Sequence, residues 1–449
     1  MTPEELENLV KRGDGMAIAN ALQSLSESER RKLSKTASTL LREIERFQRV
    51  SWDTTDDSRF KVSAVMRRIL GARFHRVALH KKKYAAELAV MGLCPISVTK
   101  RVHASHYHHR DKTPDDFIKV LSDRCPPWID NWIAERLKGE WTTIDWHVFR
   151  TLQKDRVCQK PTSDDYYRFM ATSLNGWSAF VGRRKRLLSK ILAEETDLLE
   201  DIWKLFEVDT IAFAYDWGDE KKREHESWPT ALCTLAKQGL IDRQRLLDSS
   251  LRGLTTRLKQ NLLSGFARFH ERLQPTAAEI VARQSIYLDL LSVKVNQVVS
   301  FALKMLKKVD QAKRLDDAAF ASSSKFVFDI PTKGSAKTTI SLLKKVAKRS
   351  PQLQQQIAEV LVDAVLAHPA SDVVEAAVEL IGALRDALEP STVEALQDAL
   401  PDLPATVQPL VREILGDAGA DAPPAEEVGA SFAELKPAAL EVPKKWRVL

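Results

Sequence analysis

Six histidines fall in one short stretch of the chain. His103, His106, His108 and His109 stand within seven residues, with His75 and His80 upstream. Imidazoles three residues apart share a helix face and can bind zinc. No Cys or Asp stands beside them at a metal-site spacing. His106-Tyr107-His108-His109-Arg110-Asp111-Lys112 reads as a polar loop ahead of a helix start at Thr113-Pro114-Asp115-Asp116. A second candidate is Phe326 to Thr339, where an apolar pentad leads into Pro331-Thr332-Lys333-Gly334-Ser335-Ala336-Lys337-Thr338-Thr339. A phosphate loop needs glycine immediately before its lysine and again five residues earlier, so that backbone can approach phosphate. Those two positions hold Ala336 and Pro331. A helix cap and an exposed charge explain the segment more simply.

Nucleophiles and acid–base pairs fare no better. Cys158 and Cys233 are the thiols that a histidine could activate. Cys233 lies in Ala231-Leu232-Cys233-Thr234-Leu235-Ala236, which reads as a buried helical stretch. The carboxylates of Asp216-Trp217-Gly218-Asp219-Glu220 run into Lys221-Lys222-Arg223-Glu224, a charged surface loop. The expectation is therefore no catalytic residue, no cofactor and no bound metal. The basic runs carry more weight. Lys81-Lys82-Lys83, Arg183-Arg184-Lys185-Arg186 after Trp177 and Phe180, and Lys344-Lys345 are candidate contacts for an anionic partner. Lysine and arginine neutralise phosphates and release counterions, and aromatics stack on unpaired bases.

The elements that would position these residues are helices. Only 16 glycines occur in 449 residues, too few for an all-β chain with many tight turns. Thr2-Pro3-Glu4-Glu5 joins an N-cap, a first-turn proline and a capping glutamate. Ser26-Glu27-Ser28-Glu29 opens a helix with Leu33, Ala37, Leu40, Leu41, Ile44 and Phe47 at three- and four-residue steps. Pro126-Pro127-Trp128 starts another, burying Ile129, Trp132, Ile133 and Leu137. Thr276-Ala277-Ala278-Glu279 caps a helix running to Leu291. Phe326 to Ile330 reads equally as a short strand or an extended loop. Helices open at Ser350-Pro351, at Ser371 and at Ser391, where Ser391-Thr392-Val393-Glu394 reads as a capping box. From Ser350 to Ser391 is 41 residues, close to the ~40–47-residue period of HEAT and armadillo units. The expected fold is all-α, an α-solenoid of HEAT/armadillo-like helix pairs. Its parts are an N-terminal helical region (1–200), HEAT-like helical repeats (201–416), and a linker with a tail (417–449).

Charge divides the chain. The first 350 residues carry 62 Lys and Arg against 44 Asp and Glu, and the rest carry 6 against 17. Such a split can mark an anionic partner for the basic part, but an alanine-rich acidic repeat following an ordinarily solvated basic surface explains it more simply. The four cysteines are scattered without CxxC spacing, as expected of reduced thiols in a cytoplasmic protein. No apolar run of ~18 residues occurs, and the acidic start Met1 to Glu7 has no apolar signal region, so no membrane span is expected.

Several segments resemble a known family. They are SWPTALCTLAKQGLIDRQRLLDSSLRGL from Ser227, RLQPTAAEIVARQSIYLDLLSVKVNQVVSFALKML at 272–306, Pro331-Thr332-Lys333-Gly334, and LAHPASDVVEAAVELI at 366–381. Together they resemble an uncharacterised bacterial HEAT-like helical-repeat family of unknown function. The resemblance covers most of residues 1–415 and is strongest over 227–381. It implies a HEAT-like fold and supplies no catalytic residues. Members tend to be longer, with further C-terminal modules, and are often encoded near MoxR-type AAA+ ATPase, von Willebrand A-domain and SWIM zinc-finger proteins. The expected function is a non-enzymatic protein-binding scaffold or adaptor serving an ATPase-associated bacterial system. The alternative is a nucleic-acid-binding or nucleic-acid-processing protein that docks through its basic N-terminal half.

Residues 417–449 are rich in Ala and Pro and show little periodicity. Such a segment buries too little apolar surface to offset its ordering entropy. Its removal is expected to leave the melting temperature nearly unchanged. A calorimetric drop above about 5 °C, of the order of 1 kcal/mol, would count against this.

Overall fold

The computed structural model describes residues 1–53, 76–100, 102, 115–138, 144–175, 180–181, 184–185, 187–214, 226–255, 259–366 and 368–416. The chain divides into two compact units, Met1–Leu342 and Leu343–Leu449. Both are helical. Among the described residues the exception is a two-residue antiparallel pairing, Phe180 with Lys185 and Val181 with Arg184.

The first unit opens with α1 (Pro3–Arg12), α2 (Gly15–Gln23), α3 (Glu27–Asp53), α4 (Arg76–Leu93), the single turn α5 (Ile96–Thr99) and α6 (Asp115–Arg124). The expected capping box is present: Thr2 Oγ1 accepts from Glu5 N at 3.2 Å, and Glu5 Oε2 accepts from Thr2 N at 2.7 Å. Ser26 and Glu29 do the same for α3. Helix α4 is the hub of this region and packs against α1, α2, α3 and α6. Ala85, Ala86, Leu88, Ala89, Val90 and Met91 are all fully buried. A helix apolar on every side must be covered on every side, and its small residues let four neighbours approach. Its C-terminal carbonyls are capped by guanidinium groups from outside. Arg30, 5% exposed, donates to Gly92 O at 2.7 Å and also to Leu22 O and Leu25 O at the end of α2. Arg124 donates to Met91 O and Cys94 O, both at 2.8 Å.

Next come α7 (Ile129–Leu137), α8 (Trp146–Lys154), α9 (Asp164–Ser173), α10 (Leu188–Glu194) and α11 (Trp228–Lys237). Helix α7 buries Ile129, Trp132, Ile133 and Leu137 as the sequence predicts. Trp146, Phe149, Tyr166 and Phe169 form an aromatic cluster between α8 and α9, with ring centroids 5.3–6.4 Å apart.

The rest of this unit is α12 (Arg243–Leu254), α13 (Gln260–Arg272), α14 (Ala277–Val281), α15 (Gln284–Asp289), α16 (Asn296–Gln311), α17 (Asp317–Phe328) and the start of α18 (Lys333–Arg349). Helix α13 packs against α12 and α16, and α16 also packs against α14 and α15. Gly265 sits where a Cβ would lie 1.9 Å from Phe213 O, so only glycine lets α13 approach that backbone. Side-chain links recur 32–35 residues apart: Gln244 with Glu279, Arg283 with Asp248, Lys304 with Glu271, Ser300 with Ser335, and Gln284 with the Asp316 amide.

The second unit contains α19 (Gln354–Val365), α20 (Ser371–Ala383), α21 (Pro390–Ala399) and α22 (Gln408–Leu415). Helix α19 packs on α20 and α21, and α22 on α20 and α21. Gln355 accepts from Glu389 N at 2.9 Å and donates to Thr392 Oγ1 at 2.8 Å, again 34 and 37 residues away.

Three local expectations are corrected. Phe326 to Phe328 is neither strand nor extended loop, because it ends α17. Asp316 caps that helix by accepting from Ala319 N, and Phe320, Ala321, Ser324 and Val327 are buried at helical spacing. The helix from Thr276 does not run unbroken to Leu291. Arg283 N bonds Ile280 O, while its guanidinium takes Glu279 O at 3.1 Å, the carbonyl the next helical amide bond needs. The chain therefore breaks between α14 and α15. Ser391 caps nothing, since α21 begins at Pro390 behind Glu389, whose amide Gln355 satisfies.

Arg30 yields a stability prediction. Arg30→Met removes the guanidinium bonds to the Leu22, Leu25 and Gly92 carbonyls, two of them buried, which is expected to cost about 3 kcal/mol, with Arg30→Lys recovering only part. A loss under about 1 kcal/mol in urea titrations of both variants would contradict the capping role.

Candidate functional site

Three polar clusters stand out against the apolar core. The first lies where α8 meets α10. Asp145 caps α8 by accepting from His147 N at 2.8 Å. That start places Trp146, Phe149 and Leu152 inward and brings Arg150 in with them, 4% exposed. Arg150 Nε donates to Glu195 at 2.8 Å, its two terminal nitrogens donate to Asp197 at 2.8 and 2.9 Å, and Nη1 also reaches Gln153. Burial favours a proton on Asp197, but Arg150 outweighs it and holds the carboxyl below its usual range. Lys154 pairs with Glu195 at 3.0 Å. A cavity of about 290 Å³ opens above, lined by Trp146, His147, Arg150, Thr151, Lys154, Glu194 and Glu195. His147 and Thr151 lie one turn apart there, yet no hydrogen bond joins them. The arginine already spends four of its donor positions on protein groups. The cluster is built to hold α8 and α10 in register, and its cavity offers charge without an activated nucleophile.

The second cluster joins α12 to α14 and α15. Glu279 accepts from Arg243, Gln244 and its own cap, the Thr276 amide. The Arg243 hydrogen bond is the main reason its pKa falls to about 2. Arg283, 8% exposed, pairs with Asp248 at 2.7 Å and with Gln244. Beside it runs an open groove of about 640 Å³, lined by Gln244, Asp248, Arg252, Thr255, Ala282, Arg283 and Ile286.

The third cluster is Ser250, His270 and Tyr287 on α12, α13 and α15. His270 Nδ1 lies 2.8 Å from Ser250 Oγ, and its Nε2 lies 2.8 Å from the Tyr287 hydroxyl. Ser250 donates to Leu247 O at 2.7 Å. That bond fixes the direction of the chain: Tyr287 donates to Nε2, Nδ1–H donates to Ser250, and Ser250 donates to the carbonyl. A serine donating to a carbonyl is not held as a nucleophile by the imidazole. All three residues are 0% exposed. Burial, then the nearby Arg283 charge, pushes the His270 pKa down to about 4. Sequence reading missed this cluster because the three residues stand 17 and 20 positions apart and no local motif links them.

The sequence candidates land as follows. On α4, Lys81 is exposed and Lys82 and Lys83 are half-buried. Lys83 lies 3.7 Å from the buried Glu87, and burial, then Lys11, lowers the Lys82 pKa. Lys81 Cβ packs against the left-handed turn at Gly13, so part of this run is structural. Arg184 and Lys185 belong to the short strand pairing, while Arg183, Arg186 and Trp177 lie outside the described residues. Lys344 and Lys345 are exposed on α18, in the second unit. His75, the cluster His103 to His109, Thr113, Asp216 to Arg223, and 417–449 also lie outside the described residues. Among the described residues no three His, Cys, Asp or Glu are grouped so as to hold a metal. Cys158 is buried and its thiol is pushed up to about 12, by burial and then Asp130. Cys233 is half-buried rather than buried, on the rim of α11. The Lys337 segment lacks the strand of a phosphate loop: α17, a turn and α18 follow one another.

Apart from the short strand pairing, the regular structure of the described residues is helical, and the three buried polar clusters each join one helix to another. Residues 1–334 match a family described as a domain of unknown function, DUF6493, and the chain belongs to that family. None of the curated proteins matches it. No described helix is long and apolar enough to cross a membrane.

His270 predicts the pH dependence of stability. Its folded pKa lies below the unfolded value near 6.5, so in this window only the unfolded chain takes up the proton. Stability is therefore full above about pH 6.5 and falls as the pH drops towards 4. Between pH 7 and pH 5 the loss is about 2 kcal/mol from this residue. His270→Gln, though less stable throughout, is expected to lose that slope. Parallel pH profiles of the two urea midpoints would refute it.

Proposed function

We propose that this chain is an α-solenoid of HEAT-like helix pairs serving as a non-enzymatic scaffold in the cytoplasm. In this reading it binds another protein, and the family resemblance implies a component of a MoxR-type ATPase system. The observation that carries the reading is the recurrence of side-chain links 32–35 residues apart, from Gln244–Glu279 to Ser300–Ser335, with Gln355–Glu389 repeating it in the second unit. Links at a similar step are what stacked repeats produce, each repeat bonding mainly to the next. Such a stack presents side chains from successive repeats along one long surface, which suits a macromolecule better than a small substrate. The open groove beside Arg252 and Ile286 lies between two such elements and suits a partner's side chains.

The test is capture by the full chain after nuclease treatment, followed by titration with the purified partner. Retention of a MoxR-type ATPase component, weakened about tenfold or more by Arg252→Glu with Ile286→Glu (about 1.4 kcal/mol or more), is the expected result. If the nuclease-treated bait retains no protein, or the double variant binds as the parent does, the adaptor reading fails.

A further inference from the structure

Helices α13, α16 and α18 lie side by side. Lys304 of α16 pairs with Glu271 of α13 at 2.6 Å, and Ser300 of α16 meets Ser335 of α18 at 3.1 Å. Each turns an exposed stripe outward. On α13 this stripe includes Arg268, with Arg272 half-buried one turn on. On α16 it is Ser300, Lys304, Lys307, Lys308 and Gln311 at three- and four-residue steps. On α18 it starts with Lys333 and Lys337. Through Leu342 the three helices carry seven Lys and Arg and two carboxylates, Glu271 and Asp310. Asp310 is only 6% exposed, so Glu271 is the single acid on the outer side. Helices α12, α14 and α15 behave differently, because Arg243 and Arg283 are held by Glu279 and Asp248. The positive excess is therefore larger on the α13–α16–α18 face than on those helices.

From this placement we infer that the α13–α16–α18 face binds the phosphate backbone of a double-stranded nucleic acid without reading its sequence.

The composition of the face selects the partner. Protein–protein interfaces are enriched in aromatics and Met and depleted in Lys. Here lysine predominates, while Phe266, Phe269, Phe301 and Met305 are at most 4% exposed. Single-strand binders stack bases on exposed rings, and these three helices expose none. What remains is a set of point charges on a rigid helical surface, which matches the regularly spaced phosphates of a duplex. Several of these cations, Lys304 among them, also contact protein groups. Duplex binding requires only that the face as a whole be positive. The inference does not rest on the adaptor reading, because a scaffold can hold a protein on one face and a duplex on another.

The experiment is fluorescence polarisation with purified, nucleic-acid-free full-length chain and a labelled mixed-sequence duplex at two potassium chloride concentrations. Binding in the range typical of non-specific contacts, about 10⁻⁴ to 10⁻⁶ M, is expected, with steep weakening in salt. Reversing Lys307, Lys308 and Lys337 to Glu is expected to weaken binding about tenfold or more. It should also flatten the log–log salt slope by about 2 to 3, near 0.9 per lost phosphate contact. A control with Lys190, Lys237 and Lys325 reversed carries the same charge change elsewhere and should change affinity far less. If the reversal variant unfolds by circular dichroism, Lys→Gln at the same three positions replaces it. Three results would each overturn the inference: no duplex binding at low salt, equal losses in both variant sets, or tighter binding of poly-glutamate or single strand than of duplex. None requires the protein partner, so this test and the capture experiment fail separately.

Discussion

Each short helix in this chain has one apolar stripe, and the stripe must be covered by a neighbour. Helices of eight to seventeen residues are marginal alone in water, so packing rather than propensity supplies their stability. Helix α4 is the extreme case, since its run from Ala85 to Met91 is fully buried and four helices must surround it. That burial creates a second demand, because the carbonyls at the end of α4 are sealed from water. Arg30 and Arg124 meet it by donating to Gly92, Met91 and Cys94. A buried guanidinium is costly by itself, but five donors spread over helix-terminal carbonyls, where the helix dipole is negative, offset much of that cost.

The same logic explains where the polar residues went. Arg150 joins α8 to the segment after α10, Glu279 and Arg283 join α12 to α14, and His270 joins α12, α13 and α15. Each cluster is close to saturated: the donors find acceptors inside the protein. A catalytic group needs unspent capacity aimed at a place where substrate can sit. The Ser250–His270–Tyr287 chain has the residue types of a hydrolase site but the hydrogen-bond direction and burial of a structural strut.

Much of the helix pattern was legible in the sequence, because caps and stripes are local. Thr2 with Glu5, Ser26 with Glu29, and the Ile129 to Leu137 face needed nothing beyond a few neighbouring residues. What failed had a tertiary cause. Arg283 breaks its helix because Asp248 and Gln244, 35 and 39 residues away, hold its guanidinium over the Glu279 carbonyl. Glu389 replaces Ser391 at the start of α21 because Gln355 satisfies its amide. The aromatic segment at Phe326 looks extended by propensity, yet Asp316 had already committed it to a helix. The basic runs were visible as runs, but a run is not a face. Lys81 to Lys83 wind around α4, one exposed and two half-buried.

The positive face of α13, α16 and α18 shows the converse. On α13 and α16 only the pair Lys307-Lys308 hints at it, since Arg268, Arg272 and Lys304 stand apart among residues that turn inward. It emerges when the helical period sorts charge from core and the Lys304–Glu271 and Ser300–Ser335 contacts set the helices edge to edge. Distributed charge of this kind favours breadth over precision. Most of these cations sit on long, exposed side chains, so each contact is weak and screened by salt within about 10 Å at 0.1 M. If this face binds a duplex, any selectivity among anions would come from the spacing of the helices, which the buried stripes hold in place. The core that stabilises the chain is thus also what would give its surface a fixed pattern of charge.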